Sequence, residues 1–309
     1  MSKTKICPVC GYDESRDAAR HPALARLRQD AIPFGGEGAA LYAEVIALRA
    51  RVAELEALLE ELSPPPVLDS ADPSLWTAGK TLGSIRPRPD AVLPDVVFVP
   101  ASWNGEPVTR LEDYAFQEAA VRRVVLPEGL QSIGWHCFTD CRSLVEVVLP
   151  TSLARIERRA FNGCTRLTRA IIPEGIAEID QGTFFGCASL REVRLPSAIR
   201  RIGKKAFVQC ESLESIDLPE GLESIGTSAF AGCTSLRALC LPSTLKRMGD
   251  RAFAGCTGLR ELEMRGDPAT WYPDAFAGCW NLERASLPAA FSWRPLNLPA
   301  GCRVQYWDR

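Results

Sequence analysis

Cys141, Cys164, Cys187, Cys210, Cys233, Cys256, Cys279 and Cys302 follow one another at steps of 23 residues. Phe138, Phe161, Phe184, Phe207, Phe230, Phe253 and Phe276 keep the same step, and so do Leu144, Leu167, Leu190, Leu213, Leu236, Leu259 and Leu282. One full unit reads "AFVQCESLESIDLPEGLESIGTS". A fixed period in the twenties leaves little but a repeat solenoid, in which each unit buries its apolar face against its neighbours.

Within the unit, "LESIDLP" alternates: Ile216 and Leu218 point one way, Ser215 and Asp217 the other. That is a strand with one buried face, and Pro219 ends it because proline cannot donate to a ladder. The following "LESI" is a candidate second strand. "TSAFAGC" reads as a helical or 3-10 turn that returns the chain. The periodic cysteines then fill one interior column as small apolar side chains. Disulfides do not suit them, since neighbours in a single stacked column cannot all pair.

The Phe, Cys, Leu, Leu-Pro and Ile positions resemble the BspA-like leucine-rich repeat family over roughly residues 95–290. The resemblance implies a right-handed β-rich superhelix with parallel strands on one face. It also implies binding rather than catalysis, because members are best known as bacterial surface or host-contact proteins.

The ends of the array depart from the unit, as terminal repeats facing water should. Residues 75–115 form an N-terminal cap that contains the hairpin signal Asn104-Gly105. Residues 116–290 carry the repeats, and the aromatic-rich stretch 291–309 closes the stack.

The front of the chain follows different rules. Residues 1–36 open with "CPVCG", whose Cys7 and Cys10 form half of a four-ligand zinc site and resemble a zinc-ribbon knuckle. Over 37–63 the apolar positions Leu41, Val45, Leu48, Val52, Leu55, Leu59 and Leu62 alternate steps of four and three, the heptad seam of a coiled coil. Mostly β-branched residues at one core position and leucines at the other favour a parallel homodimer through residues 41–62. The alternative is a helix laid on the solenoid's own cap. The proline-rich linker 64–74 favours the first, since consecutive prolines act as a semi-rigid spacer. A parallel pair brings two knuckles together to complete a four-thiolate zinc site. The other route to zinc uses His21, with Asp17, in the same chain.

Composition excludes more than it suggests. The chain has 309 residues, a net charge of −2 and only two histidines, His21 and His136, which rules out most histidine-based chemistry. His136 sits at a variable repeat position and is expected to face solvent. Neither a dinucleotide loop nor a phosphate loop is present. There is no run of apolar residues long enough for a membrane span and no apolar stretch of signal-peptide kind, so a cytoplasmic location is expected. Nucleic acid is not expected, because Glu178 and Glu223 interrupt the Arg200, Arg201, Lys204, Lys205 group.

One strand-face feature points to function. Its central outward positions begin Val125, Val148, Ile171 and continue Arg194, Asp217, Cys240, while the column beside them begins Arg123, Glu146, Arg169, Glu192. An apolar ridge with a charged rim suits a protein-docking surface; simple β-propensity of the branched residues is the other reading. The expected function is therefore a non-enzymatic protein-interaction scaffold with an N-terminal oligomerising or tethering module. The competing reading is a thiol redox switch or zinc-dependent regulator acting through Cys7 and Cys10.

Overall fold

The computed structural model describes residues 73–292, 294 and 296–308. The Cys7–Cys10 knuckle, His21, the amphipathic segment 37–63 and the linker as far as residue 72 lie outside these residues.

Most repeats contribute two short strands, and the strands of each kind stack in columns broken into several sheets. The first column contains Val96–Phe98, Arg123–Val125, Glu146–Val148, Arg169–Ile171, Glu192–Arg194, Ala238–Leu241, Glu261–Met264, Arg284–Pro288 and Arg303–Trp307. The second contains Arg110–Leu111, Ser132–Ile133, Arg155–Ile156, Glu178–Ile179, Arg201–Ile202, Ser224–Ile225 and Arg247–Met248. Pairing within both columns is parallel, with Ser132 opposite Arg155 and Ala238 opposite Glu261. The rest of the repeat supplies the long crossover that parallel neighbours need.

The coil at 215–217 keeps the expected alternation, with Ile216 buried and Ser215 and Asp217 exposed. It is nevertheless not a ladder strand. The backbone bond to the next coil there runs from Arg237 N–H to the Glu214 carbonyl, 3.2 Å. Burial of one side chain fixes which face points in; ladder closure also needs the backbones in register, and the two conditions separate here.

As far as the Phe253 coil the segment expected to be a helical or 3-10 turn is neither an α-helix nor a 3-10 helix; in the last repeat, at Pro273–Phe276, it is a 3-10 turn as expected. Regular 3-10 turns among the described residues lie at Pro73–Leu75, Pro273–Phe276 and Ala289–Ser292, towards the two ends. The reason is visible in where alternate N–H groups go. Lys205, Phe207 and Gln209 donate forward to the carbonyls of Thr227, Ala229 and Ala231 in the next coil, at 3.0, 2.7 and 2.9 Å. Ala206 and Cys210 donate locally, to Gly203 and Phe207, both at 3.3 Å. A helix would turn all of these donors back into its own segment, and the stack would lose its stitching. Left-handed residues make the alternation possible: Lys205 has φ +57° and Gln209 φ +59°. Glycine takes the second position in other coils, as at Gly186 and Gly232, because it adopts that region without a Cβ penalty.

Inside, the phenylalanines form a continuous stack. Centroids from Phe116 to Phe276 are separated by 4.9–5.4 Å, with interplanar angles of 13° or less. Strand spacing of about 4.8 Å sets this distance. The cysteine column does more than fill space. Cys210 Sγ–H donates to the Phe184 carbonyl and Cys233 Sγ–H to the Phe207 carbonyl, each at 3.2 Å. The Phe207 carbonyl also accepts the Cys210 N–H, so the thiol satisfies the second lone pair of a buried acceptor. A valine or alanine at that position could not.

All ten described cysteines are free thiols. Burial disfavours the thiolate in the middle of the column: it drives Cys187 far above the usual thiol range and pushes Cys233 up to about 12. A thiol-alkylating reagent should therefore label half-buried Cys240 and Cys302 in the native protein. The column from Cys141 to Cys279 should react only after denaturation, as peptide mass spectrometry would show. Labelling of Cys210 under native conditions would contradict the packing.

The N-terminal cap closes on one carboxylate. Trp76–Ala78 and Ser84–Pro87 form an antiparallel pair, and Ser84 and Ile85 continue the stack in parallel with Arg110 and Leu111. Buried Glu112 accepts hydrogen bonds at Oε1 from the Lys80 and Thr81 N–H groups (2.9 and 3.4 Å) and from the Ser84 hydroxyl (2.5 Å). Gly79 leaves the room, since a Cβ there would fall 2.1 Å from Glu112 Cγ. Burial raises the carboxyl's pKa, but the bonds from Ser84, Lys80 and Thr81 outweigh it and leave the group below its ordinary value.

A carboxyl depressed in the folded state stabilises it fully above the unfolded pKa and loses that contribution as pH falls through the folded one. Amide exchange in residues 79–84 should accordingly accelerate in that acid window, ahead of the central repeats. Glu112→Gln should abolish the pH dependence; an unchanged profile in the variant would assign the titration elsewhere.

The expected hairpin at Asn104-Gly105 is present. Ser102–Trp103 pairs antiparallel with Glu106–Pro107, and both turn residues have positive φ. At the other end Arg303–Trp307 pairs with Arg284–Pro288, and the buried Phe291 meets Trp271 edge-on at 4.7 Å.

Candidate interaction face

The first strand column brings the expected ridge residues together. Val125 stacks beside Val148 in one sheet, and Ile171 beside Arg194 in the next. Val125 and Val148 are half-buried, whereas Ile171 is 47% exposed. The inward partners in the same strands, Val124, Val147 and Ala170, are buried, which places the ridge on the outer side.

The ridge is longer than the sequence reading had it. Phe98 pairs with Val125 in register and stands at the head of the same column, half-buried. Its strand lies in the atypical cap, where the Phe–Cys spacing is lost. The alternation in "VVFV" was the available signal.

The flanking charges pair along the column. Arg123 Nε lies 2.9 Å from Glu146, and Arg169 Nε lies 3.0 Å from Glu192, which also accepts Arg194 Nε at 2.6 Å. All are substantially exposed, so each pair is worth at most about 1 kcal/mol. They fix side-chain positions more than they stabilise the fold.

A second row borders the ridge three residues further along each strand. The turns read Pro-Glu-Gly at 127–129, 173–175 and 219–221, alternating with Pro-Thr-Ser, Pro-Ser-Ala and Pro-Ser-Thr at 150–152, 196–198 and 242–244. Glu128 accepts the Thr151 N–H and hydroxyl at 3.1 and 3.0 Å. Glu174 accepts the same groups of Ser197 at 3.1 and 2.9 Å, and Glu220 those of Ser243 at 3.1 and 2.9 Å. These bonds, Thr151 foremost, hold the Glu128 carboxyl below its ordinary pKa. The repeat is thus doubled: coils are clipped in pairs, and an exposed carboxylate recurs every second coil. The alternation is plain in the sequence once a period of two units is sought.

Beyond Arg194 the outer face changes character. Asp217, Cys240 and Ser286 line a shallow trough of about 640 Å³, flanked by Glu261, Glu263 and Arg284. Burial, followed by the neighbouring Glu263, raises the Cys240 thiol above its usual range.

His136 is not solvent-facing as expected. It is half-buried, stacked on Tyr114 at 5.2 Å, edge-on to Trp135 at 4.8 Å, with Nδ1 2.8 Å from the Thr139 hydroxyl. Tyr114 from the preceding coil and the adjoining Trp135 shield the ring, and the break in spacing before Phe138 hides the first of these contacts from the sequence. Burial, with Arg159 and Arg158 nearby, keeps it below the ordinary imidazole pKa.

Among the described residues no group of three or more His, Cys, Asp or Glu side chains could hold a metal ion. Among them, too, no helix is long and apolar enough to cross a membrane. Cys7, Cys10, His21 and the Leu41–Leu62 seam lie outside the described residues.

No curated protein matches the chain. Solved structures similar to it include the leucine-rich repeat protein of T. pallidum, 26% identical with a TM-score of 0.48, covering 69% of this chain and 89% of that one. The pneumococcal vaccine antigen PcpA is 18% identical with a TM-score of 0.43, covering 72% and 77%. A leucine-rich cell surface protein of Faecalibacterium prausnitzii is 19% identical with a TM-score of 0.36, covering 75% and 92%. The model of the BspA type leucine-rich repeat region matches six copies over residues 109–214 and 200–293, well over half of the 309 residues. With its ladders in register at a step of one repeat and its Phe, Cys and Leu columns, the chain belongs to the BspA-type leucine-rich repeat family.

Proposed function

We propose that the protein is a non-enzymatic interaction scaffold whose ridge, Phe98, Val125, Val148 and Ile171, docks a protein partner. The observation that carries this reading is the ridge itself: four successive coils place apolar side chains outward between two charged rows. The interior thiols and rings are spent on packing and offer no reactive group. An apolar centre inside a polar rim is the layout of protein interfaces. Glu146, Arg169, Glu192 and Arg194 form the rim and set the register of the partner.

Site-specific photocrosslinking tests the assignment. A photoreactive residue at Ile171 should yield a discrete crosslinked species in native extract, and one at exposed Lys205, on the turn side, should not. Crosslinks from Lys205 alone would move the interface to the other side.

The N-terminal segment serves, in the same proposal, to pair copies through residues 41–62, with zinc held by Cys7 and Cys10 of two chains. The heptad spacing and the single CxxC support it. Light scattering with metal analysis should give a dimer with one zinc per two chains. Chelation, or Cys7→Ser with Cys10→Ser, should shift it towards monomer. A monomer with zinc present would end this arrangement, and one zinc per monomer would assign His21 as a ligand.

A further inference from the structure

The spacing of the ridge and its acidic row defines the shape of what can lie there. Parallel coils are about 4.8 Å apart, so Phe98 to Ile171 covers roughly 14 Å over three steps. An α-helix laid along the stack presents one face at residues i, i+4, i+7 and i+11, or about 16 Å at 1.5 Å per residue. A strand laid the same way repeats its face every 6.8 Å or so, which falls between coils.

The acidic row adds a second period. Glu128, Glu174 and Glu220 recur every second coil, about 9.6 Å apart by strand spacing. Seven residues of helix rise about 10.5 Å. The mismatch, about 1 Å per step, is within the reach of a lysine or arginine side chain. The clip bonds from Thr151, Ser197 and Ser243 hold the carboxylates in place. On the opposite edge Arg123 and Arg169 are already answered by Glu146 and Glu192, with Arg194 sharing Glu192, so that edge keeps one positive charge while Glu128 and Glu174 put two negative charges along the other side of the ridge.

We infer that the ridge takes a basic amphipathic α-helix of a partner protein, with apolar residues on Phe98, Val125, Val148 and Ile171 and a lysine or arginine every seventh residue against Glu128 and Glu174. This rests on the ridge being the docking face, and it names the class of partner. Helix-in-groove recognition of this kind is read as anchors at i, i+4 and i+7.

The test uses the full-length chain and three fluorescent synthetic helices of 21 residues. All carry the same leucine seam. The first has lysine at one edge position of each heptad, the second glutamate there, and the third the first's composition with the lysine spacing broken. The first should bind at least tenfold more tightly than the other two, and rising sodium chloride should weaken it. Glu128→Gln with Glu174→Gln retains an acceptor oxygen for each clip while removing the charge; it should erase the preference. Sodium chloride titration of the wild type makes the same comparison without any substitution.

Equal binding of the lysine and glutamate helices, or a preference that survives both glutamine changes, overturns the basic-helix partner. If Ile171 crosslinks a native partner while none of the helices binds, the ridge stands as the docking face and the helical partner falls. If the lysine helix binds and Val148→Asp with Ile171→Asp leaves it bound, the helix sits elsewhere and the inference fails.

Discussion

Phe207→Ala is expected to destabilise the solenoid by about 3–5 kcal/mol, the usual cost of deleting a buried phenylalanine ring. Phe207 is fully buried, with ring centroids 5.3 Å from Phe184 and 5.0 Å from Phe230. Both contacts are lost together, and the hydrogen-bonded coils on either side cannot close into the gap without breaking the Phe207–Ala229 and Gln209–Ala231 backbone bonds. Because each repeat is supported only by its neighbours, unfolding should begin at this layer. Arg194→Ala is the matched control, since it removes one exposed ion pair with Glu192, worth at most about 1 kcal/mol. Chemical denaturation of both variants decides the matter: equal midpoints would show that the ring stack does not carry the core.

The second large effect is on binding. Val148→Asp with Ile171→Asp should abolish partner capture while leaving the melting transition within a few degrees of wild type. Ile171 is 47% exposed and Val148 half-buried, and their inward neighbours Val147 and Ala170 stay in the core untouched. Two carboxylates at the centre of an apolar ridge would have to be desolvated by any apolar partner, at several kcal/mol without a compensating charge. Beside Glu146 and Glu192 they would also concentrate negative charge. Circular dichroism checks the fold and the Ile171-neighbourhood crosslink checks capture, with the photoreactive group moved to Val125. Retained capture would remove the ridge from the interface. A collapsed fold would mean that these side chains carry packing rather than recognition.

The cysteine, phenylalanine and leucine spacing by itself determined the solenoid, the number of residues per coil and which side chains enter the interior. It did so because a side chain that recurs once per coil meets its own copy, and only stacking can bury all of the copies. The outward positions Val125, Val148 and Ile171 followed from alternation for the same local reason. Tertiary structure decided what depends on the neighbouring coil rather than on the coil itself. The segment around Phe207 has the composition of a helical turn. It is opened because Lys205, Phe207 and Gln209 find carbonyls one coil ahead. The thiol of Cys233 reads as an apolar filler until the Phe207 carbonyl appears beside it. His136 reads as a surface residue until Tyr114 and Trp135 cover it. Phe98 joined the ridge through a cap strand that breaks the spacing; alternation in "VVFV" marked its outward face, and the ladder register with Val125 placed it in the column. Local pattern fixes which face of a coil is buried; hydrogen-bond partners and rim geometry belong to pairs of coils, and those pairs exist only once the chain has stacked.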